Sequence, residues 1–234
     1  MLSPLFELSR HFLSFHNKPY RRYFLKRHPL NHRFAILTGQ RGVGKTTAMV
    51  QHLLDAVGGN LLSEEILYVQ ADHIAVRQHR LYDIGETFRN HGGRVVCFDE
   101  IHKYADWSAE LKSLYDTFPD LAILASGSSA LEVGRGSHDL SRRAVVYSMA
   151  GMSFREYMEL VTGLSWSPFP LEDILQDHPR LALQVTEPLA TKERKVLSLF
   201  KEYLRRGVYP FFTEFPDEGT FRQVLEQNIR ATLD

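Results

Sequence analysis

The segment GQRGVGKT at residues 39–46 constrains the fold of this chain more than any other stretch. It follows FAILTG (34–39), a short apolar run ending in glycine that suits a buried strand. It precedes TTAMVQHLLDAV, where Val50, Leu53, Leu54 and Val57 recur at helical spacing before Gly58 and Gly59 stop the helix. A glycine-rich turn between strand and helix exposes backbone amides at the positive end of the helix, which makes a cradle for an anion. Side chains at Gly42 and Gly44 would keep an anion away from those amides. Lys45 adds a mobile positive charge, and the Thr46 hydroxyl is suited to a magnesium ion. The pattern G-x-x-x-x-G-K-[ST] arises by chance in roughly one chain in a hundred of this length, and here it has the strand–helix context it requires. Gly39, Gln40 and Arg41 open the cradle, Gly42, Val43 and Gly44 form its turn, and Lys45, Thr46 and Thr47 begin the helix. These nine residues are the expected phosphate contacts of a nucleotide.

Further along, apolar runs alternate with helical patterns. EILYVQAD (65–72), RVVCFDE (94–100), LAILASGSS (121–129) and AVVYSMAGM (144–152) read as strands. QHRLYDIGETFRNHGG and DWSAELKSLYDTF read as helices between them, the second placing Trp107, Leu111, Leu114, Tyr115 and Phe118 on one face. Such alternation predicts an α/β fold, a mostly parallel five-stranded sheet between helices, and the unbroken apolar character of the strands fits burial on both faces. With 44% hydrophobic and 24% charged residues, the chain has material for a real core.

After Gly151 the strand pattern stops. Ser153 and Glu156 have capping-box spacing at the start of SFREYMELVTG. A loop containing Pro168, Pro170, Pro179 and Pro188 is expected next, then a helix in TKERKVLSLFKEYLRRG. The expected organisation is a basic N-terminal arm (1–33), a nucleotide-binding core (34–150) and a lid-like helical annex (151–234). The last residues, QNIRATLD, lie within a helical pattern that has no stop signal, which predicts a natural protein that continues into a further domain.

RVVCFDE ends in two adjacent acids, Asp99 and Glu100. Ligands of open α/β sheets bind beyond the carboxyl ends of the strands, so both acids are expected on the edge that carries the phosphate loop. Asp99 is then placed to hold Mg²⁺ together with Thr46, and Glu100 to orient or polarise an attacking water. In SGSS, Ser126 and Ser128 offer hydroxyls to the terminal phosphate, if that strand lies between the first and third; a plain turn is the competing reading. Arg142 and Arg143 are candidates for an arginine that stabilises the transition state, or for a surface salt bridge. His102 and Lys103 either contact nucleotide or a neighbour, or cap the turn. The eleven histidines show no metal-ligand spacing.

The net charge of zero conceals an asymmetry, because residues 10–33 hold seven Lys/Arg and no acid. Either this segment packs its Phe and Leu residues on the domain with its charges in water, or it contacts an acidic partner or nucleic acid. Glu7 interrupts what would otherwise resemble a transit peptide. The single cysteine excludes a disulfide framework and predicts a reducing, cytoplasmic compartment, with Cys97 as a small buried hydrophobe. No stretch has the length of apolar sequence that a membrane-spanning helix needs.

Together GQRGVGKTT, YVQAD, FDEIHKYADWSAELKSLYD, LASGSS and SRRAVVYSMAGMSFREYM, followed by GVYPFF, resemble a group of AAA+-type ATPases from bacteria and archaea. In that group a P-loop module precedes a C-terminal nuclease-like or winged-helix domain, which is absent from this chain. The resemblance covers about residues 30–215. It implies Mg-dependent ATP hydrolysis with a central phosphate-loop strand, Glu100 as catalytic glutamate, a sensor in SGSS and Arg143 as the arginine before the fifth strand. Where the group has Thr-Gly-Ser, this chain has Ser126-Gly127-Ser128. Two other readings remain: a slowly hydrolysing nucleotide-gated switch, with a protein or DNA partner, and a phosphotransferase, which an Asp-Glu pair suited to water activation disfavours. The partner, a homo-oligomeric state, and whether Arg143 acts on its own or a neighbour's ATP stay open.

Overall fold

The computed structural model describes residues 2–127, 140 and 142–233. Five strands, β1 (Phe34–Thr38), β2 (Ile66–Gln70), β3 (Val95–Asp99), β4 (Ala122–Gly127) and β5 (Val145–Ser148), form one sheet in the order β2-β3-β4-β1-β5. All four pairings are parallel, so the α/β class expected from the alternation is the class observed. The fourth strand does lie between the first and third. Register aligns Thr38 with Gly127 and Ser148, and Gln70 with Asp99, so the strands finish along one common edge.

β1 is buried along its whole length, as a strand covered on both faces must be. β5 departs from the expectation of uniform burial. It is an edge strand paired only with β1, and Val145 and Val146 are exposed. The helices of this part are α1 (Leu2–His16), α2 (Tyr23–Arg27), α3 (Lys45–Ala56), α4 (Leu81–Asn90) and α5 (Trp107–Thr117).

The chain divides into two compact units, Met1–Ala150 with Asn228–Asp234, and Gly151–Gln227. In the first, the basic N-terminal segment is folded onto the sheet. α1 buries Leu2, Leu5, Phe6, Ser9 and Leu13, a helical stripe that packs on β2. Among the described residues, four of the seven basic residues of the segment form ion pairs or hydrogen bonds through their side chains. Arg10 lies 3.5 Å from Glu64, Arg21 forms a double hydrogen bond with Asp55 (2.6 Å each), and Arg22 and Arg33 donate to backbone carbonyls. Cys97 is fully buried, in contact with Met49.

The second unit is helical: α6 (Phe154–Thr162), α7 (Leu171–Ala190), α8 (Val196–Glu202) and the start of α9 (Glu218–Leu233). The capping box at Ser153 and Glu156 is formed in both directions, and Gly163 closes α6 with φ 70°. The proline-rich loop expected between Pro168 and Pro188 is instead largely helix. α7 consists of two segments joined at a kink at Asp177 (φ −147°), whose carboxylate accepts from Arg180 N. Pro179 therefore stands in the first turn of the second segment, where proline removes no helical hydrogen bond.

Candidate functional site

β1 delivers the chain to the loop at Gly39, and α3 begins at Lys45. Gly42 and Gly44 have φ of 86° and 98°, a left-handed conformation that only glycine adopts without strain. They turn the backbone into α3, whose first-turn amides have no partner inside the helix. No acidic residue stands in that first turn to compete for them. Gly39 has a different requirement. At its φ of 148°, a Cβ would lie 2.4 Å from the Met149 carbonyl oxygen. Since that obstacle is backbone, Gly39→Ala is expected to cost about 2–4 kcal/mol, read as a lowered unfolding temperature. Arg22, buried in the N-terminal segment, clasps the loop by donating to Val43 O (2.6 Å) and Ala150 O (3.1 Å).

Lys45 is buried, and its ammonium donates to Gly39 O (2.7 Å) and Gln40 O (3.1 Å) at the start of its own loop. Burial lowers its pKa, while the carboxylates of Glu100 and Asp99 pull the other way and Arg41 adds to the lowering. One residue on, the Thr46 hydroxyl donates to Asp99 Oδ2 at 2.9 Å.

Asp99, at the carboxyl end of β3, is 1% exposed and accepts four hydrogen bonds. Oδ1 takes the Ser126 hydroxyl and the Glu100 amide (2.9 Å). Oδ2 takes the Thr46 and Tyr68 hydroxyls. A carboxylate has about four lone-pair positions, and all are used. Ser126 is thus brought into the site, but it is fully buried with its hydroxyl on Asp99. Ser128 lies outside the described residues. Burial, reinforced by the charge of Asp99, pushes the Tyr68 hydroxyl far above its ordinary pKa, so it remains a donor.

Glu100 has φ 57° and ψ 36°, a left-handed conformation that costs a non-glycine residue about 1–3 kcal/mol. Its Oε2 is buried and makes no hydrogen bond among the described residues. His102 Nε2 and Lys103 Nζ both stand 3.6 Å away, close enough for attraction but too far for a hydrogen bond. Lys103 also meets Asp72 Oδ2 at 2.5 Å. Burial raises the Asp72 pKa, but the hydrogen bond and charge of Lys103 outweigh it and hold the carboxyl below the usual range. His102 and Lys103 therefore flank Glu100.

Arg143 is not brought to this edge. It precedes β5 and grips Asp116, near the end of α5, at 2.8 and 2.9 Å. α5 runs back from the carboxyl end of β3, so this pair lies at the opposite, amino edge of the sheet. Arg142 is exposed.

Among the described residues no group of three or more His, Cys, Asp or Glu could hold a metal ion. The donors beside the loop are one hydroxyl and one carboxylate. This hard-oxygen set fits Mg²⁺, which keeps waters and phosphate oxygens for its other positions. Tyr68, Arg22 and Asp72 are the participants that sequence reasoning missed.

A family model described as an AAA domain matches residues 31–158. An uncharacterized protein, MJ1637, of Methanocaldococcus jannaschii is 30% identical over 200 residues, covering 81% of this chain; the chain spans 40% of that relative's length. Among solved structures, Saccharomyces cerevisiae RIF2 overlays with a TM-score of 0.44 at 14% identity, covering 83% of this chain and 80% of that one. AMPPCP-bound DnaA from Aquifex aeolicus gives 0.41 at 15%, covering 78% and 64%. Overlays this distant add no weight to a functional reading. Among the described residues, no helix is long and apolar enough to cross a membrane.

Proposed function

We propose that this chain, which belongs to the AAA domain family, binds ATP with magnesium at residues 39–46 and hydrolyses it. An ATPase-type, nucleotide-binding function comes with that membership. In the finer reading, the loop amides and Lys45 bind the phosphates, the ammonium exchanging its contacts with Gly39 O and Gln40 O for phosphate oxygens. Thr46 and Asp99 hold the metal side. When bound there, magnesium would supply positive charge to offset the charge that develops on the phosphate.

Glu100 carries the hydrolytic part of the proposal. A buried carboxylate oxygen without a hydrogen-bond donor is costly, and a water would satisfy it while being oriented by it. A carboxylate oxygen held beside such a water can take its proton.

The same two neighbours favour the second reading, the slow switch, because a glutamate drawn toward a lysine is restrained from a substrate water. Nucleotide binding and phosphate release measured on one preparation, with and without candidate partners, separate the two. Turnover by the chain alone supports the ATPase; binding with turnover only on partner addition supports the switch.

We read residues 34–150 as the ATPase core, with 1–33 as its N-terminal cover and 151–234 as an annex that moves with nucleotide state. The position of Arg143 supports a role toward a neighbouring copy rather than its own ATP. This requires self-association of the ATP-bound chain, which its mass in solution reports. A DNA partner gains little support from a basic segment that, among the described residues, engages at least four of its seven side-chain charges in ion pairs or hydrogen bonds. DNA binding through the rest would weaken steeply with salt. A cytoplasmic location remains a proposal from the single buried Cys97.

A further inference from the structure

We infer that Tyr68 is a positioning residue for the Asp99 carboxylate, and that α1 holds Tyr68 in place. The inference rests on the proposed role of Asp99 at the metal side of the nucleotide. Tyr68 lies in β2 opposite Cys97 and is 2% exposed. Its neighbours Ile66, Leu67 and Val69 are apolar, and phenylalanine would fill the same volume. A hydroxyl buried there is unfavourable unless it is bonded, and its partner is Asp99 Oδ2, the oxygen that also accepts from Thr46.

The four donors to Asp99 fall into two kinds. The Tyr68 hydroxyl, the Ser126 hydroxyl and the Glu100 amide belong to the sheet or its immediate end. The Thr46 hydroxyl belongs to the phosphate loop and its helix. Tyr68 therefore occupies one side of Oδ2 and leaves the side toward Thr46 as the position open to exchange. Without the Tyr68 hydroxyl, Oδ2 loses the donor that stays with the sheet, and the carboxylate can turn.

Tyr68 is itself held from outside the sheet. β2 is an edge strand, and the backbone N–H of Tyr68 donates to Ser9 Oγ of α1 at 2.9 Å, both residues buried. The Phe12 ring of α1 packs on the Tyr68 ring with centroids 5.6 Å apart. The first helix thus covers an otherwise open sheet edge and touches the residue that fixes Asp99. The position of α1 and the metal affinity are coupled, and coupling of that kind is reciprocal.

The test uses the full chain and a fluorescent ADP analogue, with binding followed as Mg²⁺ is added over a chelated background. Tyr68→Phe keeps the ring packed, and its unfolding temperature is measured alongside. The Mg²⁺ concentration needed for half of the metal-dependent change is expected to rise roughly ten-fold, as when a group that orients a metal ligand is removed. Metal-free nucleotide affinity should stay within about two-fold, because the groups that the Tyr68 hydroxyl meets, Asp99 and Thr46, both stand on the metal side. Phe12→Ala should shift the Mg²⁺ midpoint in the same direction by less, and should add nothing in a Tyr68→Phe background. An unchanged midpoint in Tyr68→Phe overturns the role of Tyr68 while leaving the nucleotide site intact. An independent effect of Phe12→Ala in the Tyr68→Phe background overturns the role of α1. An unaltered chain that binds the analogue without any Mg²⁺ dependence contradicts the metal-side assignment of Asp99 on which the inference stands.

Discussion

Glu100→Gln is expected to leave ATP binding as tight as in the unaltered chain, or tighter, and to lower hydrolysis by about 10²–10⁴-fold. Glutamine keeps the shape of the side chain and tolerates the same backbone, so the left-handed turn after β3 survives. The change removes the one property that the proposal needs, an oxygen basic enough to take a proton from water. Binding need not suffer, because a negative charge near the phosphates opposes theirs. The carboxylate of Glu100 raises the Lys45 pKa, but so does Asp99, which remains. Equilibrium binding and phosphate release on the same protein read both halves. Turnover at the unaltered rate would remove Glu100 from the chemistry.

Lys45→Ala should weaken nucleotide affinity by on the order of 10²–10³-fold, the scale of truncating one member of a buried, hydrogen-bonded charge pair. The ammonium is buried and already partly stripped of water, which is why its pKa is lowered. In such a place an attraction to phosphate is screened less than at the surface. Two loop carbonyls, Gly39 O and Gln40 O, lose their donor in the variant, so the loop should also loosen. Titration with ATP measures the loss, and unaltered affinity would place the nucleotide elsewhere.

The phosphate loop was legible because its chemistry demands fixed residue types at fixed spacing. The acids were legible because an apolar strand stopped abruptly at two charges. Alternation of strand and helix carried the parallel sheet, whereas the place of β4 between β1 and β3 entered only as a condition on the serines and needed the structure.

Other features were hidden for identifiable reasons. Tyr68 looks like core in an apolar strand, and the acid that its hydroxyl meets is 31 residues away. Arg22 looks like one more surface charge in a basic segment, although it binds loop and strand-end carbonyls. Asp72 in YVQAD reaches Glu100 through Lys103. Ser126 was visible as a hydroxyl on the correct edge, but only three dimensions show that it turns inward to Asp99. Prolines 179 and 188 masked a helix, since the position of a proline within a helical turn cannot be read before the turn itself is known.

The central claim is that this chain cleaves ATP with Glu100 as the group that activates water. A single-turnover experiment tests it most directly, with the chain in excess over ATP and magnesium present, so that slow release of products cannot mask the chemistry. The account predicts that the unaltered chain converts bound ATP to ADP and phosphate, and that Glu100→Gln holds the ATP intact over the same interval. ATP bound by the unaltered chain and recovered uncleaved, or cleaved equally fast by both proteins, would contradict it.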